Sequence, residues 1–137
     1  NRRLEFASLD DVFFHYRQKS IFKRIPDDYL RDYIKSVFVQ KENKVVLSFS
    51  PAWEIELYRK GGRHLPYLWK HLSAIECPVQ LITGDLSDVA KPRYVSMFRK
   101  KVPHTIHHVI KHATHLVPFE FPDEIIDLIV SMDELCS

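Results

Sequence analysis

Apolar positions along this chain follow two different rhythms. In "ASLDDVFFHYRQKS", Leu9, Val12, Phe13 and Tyr16 recur at i, i+3, i+4 and i+7, which predicts an amphipathic helix. Ser8 is placed to cap it, and Asp10 and Asp11 put carboxylates at the positive end of the helix dipole. "IPDDYLRDYIKSVF" repeats the grammar, with Pro26 expected at the first helical position and Leu30, Tyr33, Ile34 and Val37 on one face. "NKVVLSF" reads as a turn and a short strand. In "SPAWEIELYRKGG", Ser50 caps, Pro51 starts, and Gly61 and Gly62 are expected to stop a helix. "LPYLWKHL" then gives a further short helix, with Leu65, Leu68, Trp69 and Leu72 on one side. To this point the pattern is mostly helical.

At Ile75 the rhythm changes. "ECPVQLITG" is a short apolar run ended by Gly84, the pattern of a buried strand. "PRYVSMFRKKVP" is a helix between prolines, with Tyr94, Met97 and Phe98 expected to face inward. "TIHHVIK" is a second strand, and "FPDEIIDLIVSMDEL" a last helix with Ile125, Leu128, Ile129 and Met132 on one face. Strand, helix, strand and helix with short connections predict parallel strands joined by a right-handed crossover. Parallel strands are buried on both faces, so two of them need neighbours, and the second half is expected to be the edge of a larger sheet.

Composition narrows the function classes. The 137 residues, 45% hydrophobic, suffice for a core, and the net charge of +2 is near balance. Residues 1–70 carry 14 Lys/Arg against 9 Asp/Glu, and residues 71–137 carry 6 against 9. The basic residues are interleaved with acids, so no nucleic-acid stripe is formed. No apolar run reaches the ~18 residues of a membrane span. Cys77 and Cys136 are too few for a disulfide framework and suit a reducing, cytoplasmic compartment. The chain opens "NRRLEF", without an initiator Met or an apolar signal segment, so further residues are expected upstream.

The chemistry gathers where the two strands end. In an open parallel sheet, functional groups collect beyond the carboxyl ends of the strands. Asp85 and Asp88 follow the first strand, and His112 and His115 follow the second. Adjacent strands bring these loops side by side. An aspartate accepting the imidazole N–H fixes the tautomer, while the other ring nitrogen takes a proton from a nucleophile. An isolated aspartate at Asp88 would more often cap its own turn, and an isolated His115 would be an ordinary polar loop residue. It is their pairing at two strand ends that points to acid–base chemistry.

"CPVQLITGDLSDV", followed 27 residues after Asp88 by the histidine of "HATHLVPFEFPDEIIDLI", resembles the C-terminal half of an α/β-hydrolase. That family places its acid in a Gly-x-x-(x)-Asp turn and its histidine before the last helix, often followed by "P.E.P". The resemblance implies Asp88 as the triad acid and His115 as the base. Asp85, directly after the glycine, is the weaker match. The stretch from Ser8 to Leu72 is similar to the family's cap, and "RRLEFASLDDVFFHYRQKSIF" and "SPAWEIELY" resemble a small-molecule hydrolase subgroup. The implied fold is α/β, the C-terminal portion of an α/β-hydrolase parallel sheet, with a helical cap over residues 1–72 and core over 73–137. The implied activity is serine-type hydrolysis of a small-molecule ester or related acyl substrate, without a cofactor.

One departure is large. The family's nucleophile lies in Gly-x-Ser-x-Gly. Gly61, Gly62 and Gly84 are the only glycines, so that motif cannot be written in this sequence. The expectation is therefore a C-terminal part, inactive alone, whose partner is the missing N-terminal half of the same protein. An Asp nucleophile of the dehalogenase or epoxide-hydrolase type would use the same pair, and a non-catalytic interaction module of this fold is the reading outside enzymology.

Other features are given their plainer meaning. His104, His107, His108, His112 and His115 do not make a metal set, because His107 and His108 are consecutive on a strand and no cysteine or carboxylate cluster completes a tetrahedron. Trp53, Tyr58, Tyr67 and Trp69 are candidates to line an acyl or aryl pocket, although helix packing explains their spacing equally well. Arg2, Arg3 and Arg99–Lys101 are expected to be solvated, and Cys77 to be buried and inert.

Overall fold

The computed structural model describes residues 3–136, with side chains described as far as Met132. Arg2 and the side chain of Cys136 lie outside the described residues. The chain forms two compact units, Asn1–Arg63 and His64–Ser137. The division falls inside a helix.

In the first unit, β1 (Glu5–Phe6) leads into α1 (Leu9–Arg17), whose cap Ser8 accepts from the Asp11 N–H at 3.1 Å. Helix α2 (Asp27–Val37) follows, with Pro26 as its N-cap rather than its first residue. Strands β2 (Phe38–Lys41) and β3 (Lys44–Leu47) form a hairpin, and the sheet order is β1-β3-β2, all antiparallel. The stretch is otherwise mostly helical, as expected, and β3 is the short strand read in "NKVVLSF"; β1 and β2 were not expected. Phe38 and Val45 are buried while the residues between them are polar or exposed, so strands this short carry little alternation to read. Val12, Phe13 and Tyr16 of α1 pack with Leu30 and Ile34 of α2, and with Phe6, Ile25, Phe38 and Val45 they make the core.

Arg17 closes the loop between these helices. Its guanidinium donates to the carbonyls of Phe22 at 2.7 Å and Ile25 at 2.8 Å, and it pairs with Asp27. A rigid fork of donors suits several carbonyls at once, which a lysine ammonium would not reproduce.

Helix α3 (Pro51–His71) begins at Ser50, whose hydroxyl accepts from the Trp53 N–H at 3.1 Å. It runs through Gly61 and Gly62 and contains Pro66. The glycines therefore do not end it, and "LPYLWKHL" is not a separate helix. A glycine stops a helix by adopting the left-handed conformation, and no glycine here has a positive φ.

In the second unit, β4 (Val79–Gly84) and β5 (Thr105–Ile110) pair in parallel, in register from Val79 opposite Thr105 to Gly84 opposite Ile110. Helix α4 (Pro92–Lys101) connects them, with Pro92 in its first turn. A short α5 (Val117–Glu120) and then α6 (Pro122–Cys136) complete the chain. The architecture is thus a parallel sheet with helices, as the pattern predicts. Two helix faces differ from expectation. On α4, Phe98 turns inward as expected, but Tyr94 and Met97 are exposed, and Val95 and the buried Val102 beyond its end turn inward instead; on α6, Ile129 is exposed. Both helices carry apolar residues on more than one stripe, so packing sets their rotation.

Cover on the sheet is thin. Ile106 and Val109 remain 43% and 47% exposed, although parallel strands are normally buried on both faces. Cys77 is free and exposed, not buried as expected, because it lies before β4 begins, outside the strand's packing.

Candidate active site

The ends of β4 and β5 are joined as one structure. Beyond the last paired residues, the Asp85 N–H donates to the Ile110 carbonyl at 3.1 Å and the Leu86 N–H to the Ala113 carbonyl at 2.9 Å. Gly84 allows this closeness. A Cβ there would stand 2.2 Å from the Ala113 oxygen and 2.3 Å from the Thr114 oxygen, far inside contact distance. Ala113 is wholly buried in the seam. The returning chain makes its turn at His112, whose φ of 61° is left-handed.

Asp88 lies in the loop between Gly84 and α4. The loop is organised by its neighbours: the Ser87 N–H donates to the Gly84 carbonyl at 3.1 Å, and the Ser87 hydroxyl accepts from the Ala90 N–H at 3.0 Å. Ser87, not Asp88, therefore caps the turn. Asp88 is exposed, as is Asp85, whose carboxylate lies 3.8 Å from the Lys111 ammonium. His115 is exposed in the turn before α5. Among the described residues no hydrogen bond or ion pair joins Asp88 to His115.

The turn that carries His115 is held from below. Glu120, buried in α5, accepts from the Thr114 N–H at 2.7 Å and the Thr114 hydroxyl at 2.8 Å. The same hydroxyl accepts from the Leu116 N–H at 3.2 Å. Sequence reasoning did not single out Thr114 or Ser87. Glu120 is the acid of the "P.E.P" pattern noted after the histidine, but nothing in the sequence indicated its burial or its hold on Thr114.

Beside this seam lies a cleft of about 560 Å³ between the sheet and α4, lined among others by Thr83, Ser87, Ser96, Arg99 and His107. Thr83 and His107 bridge the two strands through a 2.9 Å contact between Oγ1 and Nε2. Burial first, then Arg99 and His108, lower the His107 pKa below its ordinary value. On the neighbouring position, His108 Nε2 is buried without a hydrogen-bond partner among the described residues. Among the described residues, no three His, Cys, Asp or Glu side chains converge as a metal site.

The four aromatic candidates all lie on α3. Trp53 and Tyr58 belong to the first unit and Tyr67 and Trp69 to the second. Trp53, Tyr58 and Tyr67 are exposed, with Tyr67 stacked on His71 at 4.2 Å. Trp69 meets Phe98 edge-on at 6.5 Å and lines a second cleft with Met97 and Ser73.

Comparison with known proteins gives the fold its name. No protein-family model and no curated protein sequence matches the chain. Solved structures do. An E-2-(acetamidomethylene)succinate hydrolase is similar over 96% of this chain and 47% of its own, at 18% identity and a TM-score of 0.79. The peroxisomal alpha-beta-hydrolase Lpx1 of Saccharomyces cerevisiae is similar over 93% and 34%, at 21% identity and 0.78. A thioesterase domain from the curacin biosynthetic pathway is similar over 95% and 44%, at 15% identity and 0.71. The chain thus has the fold of the α/β-hydrolases and spans less than half the length of each of these structures.

Proposed function

We propose that this chain, built on the α/β-hydrolase fold, supplies the acid and the base of a serine-type hydrolase acting on a small-molecule ester or related acyl substrate. His115 takes the proton from a serine that lies outside these residues, and Asp88 orients the imidazole and stabilises its charged form. Water activated by the same histidine then releases the acyl group. Residues up to about Leu72 serve as the cap over the substrate, where Trp53, Tyr58, Tyr67 and Trp69 offer apolar surface. The missing half of the same protein is the partner that brings the nucleophile, since Gly-x-Ser-x-Gly cannot be written here.

The observation that carries this reading is the seam at Gly84. The Leu86–Ala113 hydrogen bond and the space left by the absent Cβ tie the Asp88 loop to the His115 loop at one end of a parallel sheet. The similarity to two hydrolases and a thioesterase domain supports the reaction class.

The test is hydrolysis of a short activated ester by the chain extended with its upstream sequence. Turnover is expected there and is expected to fall by about a thousandfold or more in His115→Ala and in Asp88→Asn. The 137-residue chain alone is expected to be inactive. Turnover by that chain, abolished in His115→Ala, would overturn the proposal, because the nucleophile would then lie within these residues.

A further inference from the structure

We infer that Glu120 is the positioning residue for His115, acting through Thr114; as a statement about catalysis this rests on the reading of His115 as the base. Two donors of one residue, the Thr114 N–H and O–H, converge on the two oxygens of a carboxylate that is 8% exposed. A buried carboxylate is tolerated when its oxygens are satisfied, and charge-assisted bonds are the strong ones. The Thr114 hydroxyl then passes the constraint on by accepting from the Leu116 N–H. Residues on both sides of His115 are thereby tied to a single carboxylate. Gly84 adds to the support, since the Ala113 and Thr114 carbonyls occupy the space where a Cβ would stand. Glu120 sets the backbone from which the imidazole projects and itself needs no contact with substrate.

A carboxylate fits this role better than an amide, because two converging donors need two acceptors. Glu120→Gln keeps one acceptor for the Thr114 N–H and presents a donor to the hydroxyl, so it is a partial replacement. Thr114→Val removes the hydroxyl while keeping the N–H bond to Glu120.

Amide hydrogen exchange on the 137-residue chain reads the clamp without requiring activity. In Glu120→Ala, exchange at Thr114 and Leu116 is expected to rise by about ten- to a hundredfold, with the amides of β4 and β5 unchanged. Thr114→Val is expected to release Leu116 alone, and Glu120→Gln to give intermediate protection. In the longer, nucleophile-bearing chain, Glu120→Ala is expected to lower kcat at least tenfold with KM within about twofold, and Glu120→Gln to restore most of it. Unchanged protection at Thr114 and Leu116 in Glu120→Ala overturns the inference, as does a loss spread evenly over the second unit. So does an unchanged kcat in an enzyme that depends on His115. If instead the exchange pattern holds while His115→Ala leaves turnover intact, the catalytic reading of His115 fails and Glu120 keeps its hold on the turn.

Discussion

His107 joins the two strands through Thr83 at 2.9 Å, in a setting where burial, Arg99 and His108 all disfavour the imidazolium. Its folded-state pKa therefore lies below the 6.5 of the unfolded chain. Between those two values the unfolded chain binds more protons, so stability rises with pH across that window. The contribution is complete above pH 6.5 and is lost as pH falls through the folded-state value. His15 in the first unit shifts in the same direction, chiefly by burial. Urea melts at pH 7.5 and pH 5 are expected to show a loss on acidification that shrinks in His107→Gln. An equal loss in both proteins would remove His107 from the account.

At the scale of elements, α3 shows that a helix can run through two glycines that no contact explains. Gly61 and Gly62 lie inside it, with nothing within 4 Å of where a Cβ would stand and no left-handed φ to require glycine. Each glycine costs backbone entropy without a compensating contact. Gly61→Ala is expected to raise stability by roughly 1 kcal/mol in thermal or urea melts. Gly62→Ala is expected to gain less, because Pro66, four residues on, has no N–H to bond the Gly62 carbonyl. A loss of stability in Gly61→Ala would mean that the glycine serves a bend or a contact with another part of the protein. The β2–β3 hairpin offers a parallel case, since Glu42 holds a φ of 50° that glycine would adopt without strain.

Over the whole molecule, apolar surface is left uncovered in both units. Trp53 and Tyr58 are 59% and 75% exposed, and the sheet edge presents Ile106 and Val109. An unpaired strand edge beside exposed apolar residues is a template for association. Among the described residues, no helix is long and apolar enough to cross a membrane. The isolated chain is therefore expected to self-associate, with a concentration-dependent mass above 16.3 kDa in light scattering. The upstream half, supplied in the same chain, is expected to reduce this association. A monodisperse 16.3 kDa species at high concentration would show that these surfaces are covered within the chain itself.

The helices α1 and α2, the parallel order of β4 and β5, and the approach of the Asp88 and His115 loops were all legible in the sequence. Each is set by local periodicity, capping residues and the short connections of a strand–helix–strand unit. Of the first sheet only β3 was legible, as the short strand of "NKVVLSF"; β1 and β2 were not, because two- and four-residue strands hold too few positions to alternate and their pairing joins residues as distant as Glu5 and Val46. The rotation of α4 was legible only in part: Phe98 faces inward as expected, but Tyr94 and Met97 made as good an apolar stripe with it as Val95 does. Within the candidate site, the sequence pointed to Asp88 and His115 as the proposed acid and base, but not to what holds their loops. That Gly84 is pressed by two carbonyls, and that Glu120 is buried where it grips Thr114, are decided by the tertiary structure, whereas the Ser87 cap of the Asp88 turn is a local contact with Ala90. The physical reason is that a residue's type fixes which bonds it can make, whereas which partner lies within 3 Å depends on where separate segments of chain come to rest.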